Sequence, residues 1–182
     1  MRRILVGLLT LFFIGVSASA ALAASPHFKK GGSPTCTVTS TSAPSSSTTC
    51  TASLAGLGNA TVVVQTSVNG SALYLCQNGG GNTAPGQNKV LVGPATSTTT
   101  IPADQIKNGN LTFTTDPAVL TAPSTVSGSA AGCPNANWTG VNPVLTTTGI
   151  SLSIQQPPGT TLFTCTASDP NGLSGRVPLS CS

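Results

Sequence analysis

The sequence predicts an all-β protein: a two-layer antiparallel β-sandwich of the immunoglobulin-like kind, stapled by disulfides, with a closed β-barrel as the alternative. Three observations lead there. Apolar residues recur with a period of two and nowhere with helical spacing over three turns. Short β-branched runs are separated by Gly, Pro and Asn turns, the punctuation of a sandwich. Six cysteines, Cys36, Cys50, Cys76, Cys133, Cys165 and Cys181, lie behind an apolar N-terminal stretch, as in secreted domains whose cores are poor in aromatic side chains.

The N-terminal stretch reads as a signal peptide over residues 1–24. Arg2 and Arg3 precede an apolar run from Ile4 to Val16, and Ala21-Leu22-Ala23 offers a small-x-small cleavage site before Ala24. A spanning helix needs about 20 apolar residues, and this run gives way first to Ser17-Ala18-Ser19-Ala20. No cysteine follows the cleavage site to take a lipid, and Cys181-Ser182 carries no apolar tail. The expectation is a protein released outside the cell, with no membrane anchor and at most a loose association with the cell wall. Residues 25–34, with Lys29-Lys30-Gly31-Gly32, are expected to form a flexible lead-in to a single domain over 35–182.

The strands follow in order. Residues 37–39 and 51–54 are expected to form the first hairpin, although the Ser/Thr run across 39–49 also fits a glycosylated stalk on composition alone. Val62, Val64, Thr66 and Val68 alternate toward Asn69-Gly70, followed by Ser71, Leu73 and Leu75. Asn-Gly suits a type I′ hairpin turn, which would place Val68 opposite Ser71 and Val64 opposite Leu75 on one apolar face. Val90-Leu91-Val92 is expected to end at Gly93-Pro94, Pro102 to Gln105 to make one helical turn, and Leu111-Thr112-Phe113 to follow Asn108-Gly109. Ile150, Leu152 and Ile154 alternate with serines, and Leu162 to Cys165 precede an Asp169-Pro170-Asn171-Gly172 turn.

The cysteines contain no C-x-x-C pair, and the one histidine, His27, stands apart from them, which argues against zinc or thiol redox chemistry. Six cysteines can pair in many ways, and spacing does not choose among them. The sequential set Cys36–Cys50, Cys76–Cys133 and Cys165–Cys181 is the preferred expectation, the short closures being worth roughly 3 kcal/mol each and the long one roughly 4.

Charge excludes further classes. Past the leader, Lys29, Lys30, Lys89, Lys107 and Arg176 stand against Asp104, Asp116 and Asp169, with no glutamate. Only Lys29-Lys30 are adjacent, too few for a phosphate backbone or an anionic membrane, so no nucleic-acid partner is expected. The surface must be Thr, Ser, Asn and Gln.

Gly56-Leu57-Gly58-Asn59, Cys76-Gln77-Asn78-Gly79-Gly80-Gly81-Asn82 with Ala84-Pro85-Gly86-Gln87-Asn88, Lys107-Asn108-Gly109, and Cys133-Pro134-Asn135-Ala136-Asn137-Trp138-Thr139 occur in this order. The set resembles a family of small secreted proteins of filamentous actinobacteria and similar soil bacteria, over roughly residues 36–165. The resemblance implies secretion and a β-rich fold, and it brings no catalytic, cofactor or ligand residue with it. Cys165 and Cys181 depart from the pattern.

No acid, base and nucleophile set emerges, so no catalytic, cofactor or metal site is assigned and the protein is not expected to be an enzyme. Asp116 and Asp169 each precede proline, where aspartate shapes turns. A Ser-His-Asp system would have to recruit His27 and has no Gly-x-Ser-x-Gly elbow. Asp169 to Gly172 lacks the further acids of a calcium loop, and Gly79-Gly80-Gly81 lacks the Lys-Ser/Thr and helix of a phosphate loop. The sequons at Asn59, Asn69, Asn110 and Asn137 matter only in a host that glycosylates. Recognition chemistry gathers at Asn78, Asn82, Asn135, Asn137 and Trp138, where amides and an indole suit sugar rings. The competing role for Trp138 is a core plug beside a disulfide. Two functions follow: a non-enzymatic extracellular or envelope-associated module meeting cell-wall polysaccharide or another extracellular protein, and a soluble carrier of a small apolar ligand in a cleft of the sandwich. A secreted hydrolase ranks third.

Overall fold

The computed structural model describes residues 25–40 and 44–182, so the leader and its cleavage site lie outside the described residues. Two antiparallel sheets face each other and do not close into a barrel. The fold is the expected disulfide-stapled β-sandwich. The six-stranded sheet holds β1 (His27–Phe28), β2 (Thr35–Ser40), β3 (Ser45–Ala55), β7 (Leu111–Thr114), β8 (Ala118–Thr121) and β12 (Gly175–Pro178). The seven-stranded sheet holds β4 (Val62–Gln77), β5 (Thr83–Pro85), β6 (Val90–Ile101), β9 (Thr125–Ser127), β10 (Thr139–Gln155), β11 (Thr161–Ser168) and β13 (Ser180–Cys181). One 3₁₀ turn, Ala103–Gln105, falls where a helical turn is expected. The short helix α1 (Gly128–Ala131) is not anticipated, although its caps are legible: Ser127 Oγ accepts the Ala130 amide, and Gly132 closes it with φ 68°.

Alternation drives both sheets together. On β4 every even-numbered residue from Val62 to Cys76 is buried, and on the neighbouring β10 Ile150, Leu152 and Ile154 lie beside Val68, Thr66 and Val64 on the same inner face. The core falls into two apolar clusters. One is built around Leu54, Val62, Val64, Leu152 and Ile154, the other around Val68, Tyr74, Cys76, Leu120 and Ala131. Hydroxyls occupy the boundary: Thr66 lies between Val64 and Val68, and Ser46 Oγ meets Thr147 Oγ1 at 3.0 Å. Thr48 and Thr66 are fully buried, and their hydroxyls find no partner among the described residues. Such groups oppose folding, which raises the fold's dependence on its covalent links.

Those links are Cys36–Cys50, Cys76–Cys133 and Cys165–Cys181. The first and third join residues directly opposite each other on adjacent strands, with Cα atoms 3.9 Å apart. The second spans 57 residues and ties the end of β4 to the segment after α1.

The structure corrects three expectations and, for the described residues, sets aside one alternative. Asn69-Gly70 makes no hairpin, because β4 runs straight through it, paired with β6 on one side and β10 on the other. The type I′ geometry sits at Asn108-Gly109 instead (φ 52° and 72°), closed by reciprocal backbone bonds between Lys107 and Asn110. Likewise β6 continues past Gly93-Pro94 to Ile101. As an edge strand whose outer side needs no ladder partner, it tolerates the missing proline donor. Residues 25–34, expected as a flexible lead-in, add β1 to Leu54 and Ala55, stack Phe28 on Phe163 at 4.5 Å and bury Pro34. Described residues of the Ser/Thr run lie in β2 and β3 rather than in a stalk.

Candidate functional site

The ladder and one disulfide bring the bases of the two expected recognition segments together. Gln77 pairs with Thr139 of β10 on one side and with Thr83 of β5 on the other, so loop 78–82 turns back into β5 on the side of β4 away from β10, while the Cys76–Cys133 bridge ties segment 133–138 to the same strand end. The five side chains of the two segments do different things. Asn78 Oδ1 accepts the amides of Gly80 (3.0 Å) and Asn82 (2.9 Å), and Asn135 Oδ1 accepts that of Asn137 (3.0 Å). Both amide oxygens are spent on shaping their own turns. Asn82 and Asn137 are exposed, and their side-chain amides make no hydrogen bond among the described residues. Trp138 is half-buried against the second apolar cluster. Its carbonyl lies over Gly128, where a Cβ would overlap it, which explains the glycine at the start of α1. The indole is thus both anchored and accessible.

A second surface went unforeseen. Because β4 never turns, Leu73 and Leu75 point outward instead of joining the core, and with Leu91 and Val144 they make four of the five exposed large apolar side chains among the described residues. Register places them together. Leu73 is opposite Val144, Leu75 stands between Pro85 and Val141, and Leu91 is opposite Ser71, one step along the same face. Beside them the β10 ladder skips from Val141 to Val144, leaving Asn142 and Pro143 unpaired, with Asn142 at φ 51°. Bulges of this kind re-aim side chains and concentrate near functional sites. The sequence signal was the Asn-Pro pair interrupting an alternating run.

Two of the three aspartates are structural. Thr99 Oγ1 donates to Asp116 Oδ2 (3.1 Å) and accepts the Asp116 amide (2.7 Å), fastening edge strand β6 to the connection between β7 and β8. Asp169 Oδ1 accepts the Asn171 amide at 2.8 Å within its turn. His27 is exposed on β1, its Nδ1 2.8 Å from the Ser25 carbonyl. Among the described residues no three His, Cys, Asp or Glu side chains converge.

One titration is coupled to the fold. Tyr74, the single tyrosine, is buried under this surface and donates its hydroxyl to the Pro123 carbonyl at 2.9 Å. Desolvation by burial holds its phenol above the ordinary value of 10.0. The folded state therefore keeps a proton that the unfolded chain gives up first, so stability is full below about pH 10 and declines as pH rises through the folded-state value. Phenolate absorbance titration should place the midpoint above that of free tyrosine, and Tyr74→Phe should remove this part of the alkaline loss. A midpoint equal to free tyrosine would show the ring to be exposed.

No family model, curated protein or solved structure matches the chain.

Proposed function

We infer that the protein is a secreted, non-enzymatic binding module that works outside the cell and is held at the envelope by contacts to uncharged polysaccharide or another extracellular protein. The observation that carries this reading is that the bases of the two loops meet at one end of β4, where Gln77 is opposite Thr139 and the Cys76–Cys133 bridge ties in the segment of the half-buried Trp138, with the exposed amides of Asn82 and Asn137 on the loops that leave from there. An indole supplies a flat apolar face, and amides hydrogen-bond hydroxyls without requiring charge. Three disulfides suit an oxidising compartment, in keeping with release from the cell.

Retention on isolated envelope polysaccharide tests it. Trp138→Phe should weaken retention on the order of tenfold, about 1.4 kcal/mol, with little change in melting temperature, and Asn137→Ala should weaken it further. A large fall in melting temperature with retention intact would make Trp138 a core residue and sink the reading.

A further inference from the structure

The outer face of the seven-stranded sheet changes character along its length. At one end its rungs are polar and uncharged: Thr96, Ser67, Ser151 and Thr166 in one row, and Thr98, Gln65, Ser153 and Thr164 in the next. This is the surface expected of a sheet kept wet without charges. Two turns of the pleat further on, the same strands present Leu91, Leu73, Leu75 and Val144. Composition does not force that switch, since threonine is also favoured in strands and occupies the same strands a few residues away.

The apolar face is shaped as well as exposed. Leu73, Leu75, Pro85 and Val144 frame a cleft of about 170 Å³. Pro44, Ser124 and Pro143 frame a second, of about 390 Å³, and both clefts are bordered by Asn142 and Val144. Together they reach the size of small-molecule sites, roughly 300–1,000 Å³. The bulge that ejects Asn142 and Pro143 from the ladder creates the shared border, and Asn142 holds a left-handed backbone there that only a few residue types accept.

Size decides what fits. Three strands at about 4.8 Å spacing and about five residues at about 3.4 Å each, widened by side-chain reach, give a footprint on the order of 300 Å². A stable protein interface takes about 800 Å² from each partner, so the patch is too small for a second copy of the chain and suitable for one small molecule. Neither cleft is lined by a Lys, Arg, His or Asp side chain. The polar side chains on their borders are Asn142, Ser124 and Tyr74; the Tyr74 hydroxyl is already donated to the Pro123 carbonyl, whereas the Asn142 amide and the Ser124 hydroxyl make no hydrogen bond among the described residues. We propose that this groove binds a small, flat, uncharged and mainly apolar molecule, with one hydrogen-bonding group directed at Asn142. The site is separate from the Trp138 surface and does not depend on that reading.

Nile red, an uncharged planar dye that brightens in apolar surroundings, is the probe. The full secreted chain should bind it saturably at one per chain. Val144→Asn and Leu73→Thr should each weaken binding at least tenfold with the melting temperature retained, while Val119→Asn, on the other sheet, leaves binding unchanged. Should one groove variant fail to fold, the other decides. Non-saturable binding, or wild-type affinity in both groove variants, overturns the proposal. So does sedimentation of the wild-type chain as a dimer that Val144→Asn renders monomeric, which would make the face an interface between copies. Envelope retention measured on the same variants should remain at the wild-type level; its loss together with dye binding would merge the two surfaces and overturn a separate site.

Discussion

Gly70→Ala is expected to destabilise the fold by about 3 kcal/mol, at the upper end of what overpacking costs. The position is where β4 is pinched between its neighbours. Its ladder shifts register between Val68 and Gly70 against β6, and the β10 ladder shifts between Thr147 and Gly149. A Cβ at Gly70 would overlap the Thr146 carbonyl oxygen and come within 2.8 Å of Leu120 Cδ2. Neither neighbour yields readily: the carbonyl belongs to the backbone of a paired strand, and Leu120 is 1% exposed within the second cluster. The comparison is Gly109→Ala. There the glycine adopts φ 72° in a turn where a Cβ would come no closer than 3.2 Å to the Leu57 carbonyl oxygen, and the strain of a left-handed alanine costs about 1 kcal/mol. Urea unfolding of the two variants should rank Gly70 well above Gly109. A loss at Gly70 no larger than at Gly109 would mean that the strands separate there at little cost.

That same glycine marks the limit of what could be read from the sequence. Period-two alternation traces the strands, their inward residues from Val62 to Val68 and the inward set Ile150, Leu152 and Ile154 on the neighbouring strand, because burial on one side of a pleat leaves a direct trace. The disulfide partners also emerged in sequential order. Asn-Gly, by contrast, serves two physical needs. At 108–109 both residues use the left-handed backbone that a type I′ turn requires, whereas at 69–70 the glycine is wanted for its missing side chain. A local motif does not separate the two; only the neighbouring strands do. The consequence reaches the surface, since reading a turn at 69–70 sends Leu73 and Leu75 inward, and a continuous strand keeps even-numbered residues inside and turns both leucines to solvent. The apolar groove was hidden for that reason. At the predicted site the residue types pointed to one region, but the sequence could not show that Asn78 and Asn135 spend their carbonyls on their own turns.

Removing the long bridge by Cys76→Ala with Cys133→Ala should cost about 4 kcal/mol, the loop-closure entropy of a 57-residue separation. Against the 5–15 kcal/mol typical of a domain, roughly, that is a large share. Its effect is also local. Apart from the bridge, the segment from α1 to Trp138 is held by the buried Ala131 and the half-buried Trp138 in the second cluster and by the amides of Gln87 and Asn88, which reach the Ala131 carbonyl at 3.0 and 3.1 Å, while residues 133–138 belong to no strand. Without the bridge this segment should open before the sandwich does, so amide exchange between Ala131 and Trp138 should accelerate under conditions where β3 and β11 remain protected. Envelope retention should then fall more than the folded fraction does, because the segment that carries Asn137 and Trp138 loses its covalent tie to the end of β4. The pair Cys36 and Cys50 provides the contrast. Its closure is worth about 3 kcal/mol, and a ladder running from Thr35–Thr51 to Ser40–Ser46 already aligns the two strands. Cys36→Ala with Cys50→Ala should therefore lower global stability while leaving both retention and exchange at 131–138 as in the wild-type chain. If that variant loosens the segment as much as loss of Cys76–Cys133 does, the loops are ordered by the sandwich as a whole and the bridge has no special part in presenting them.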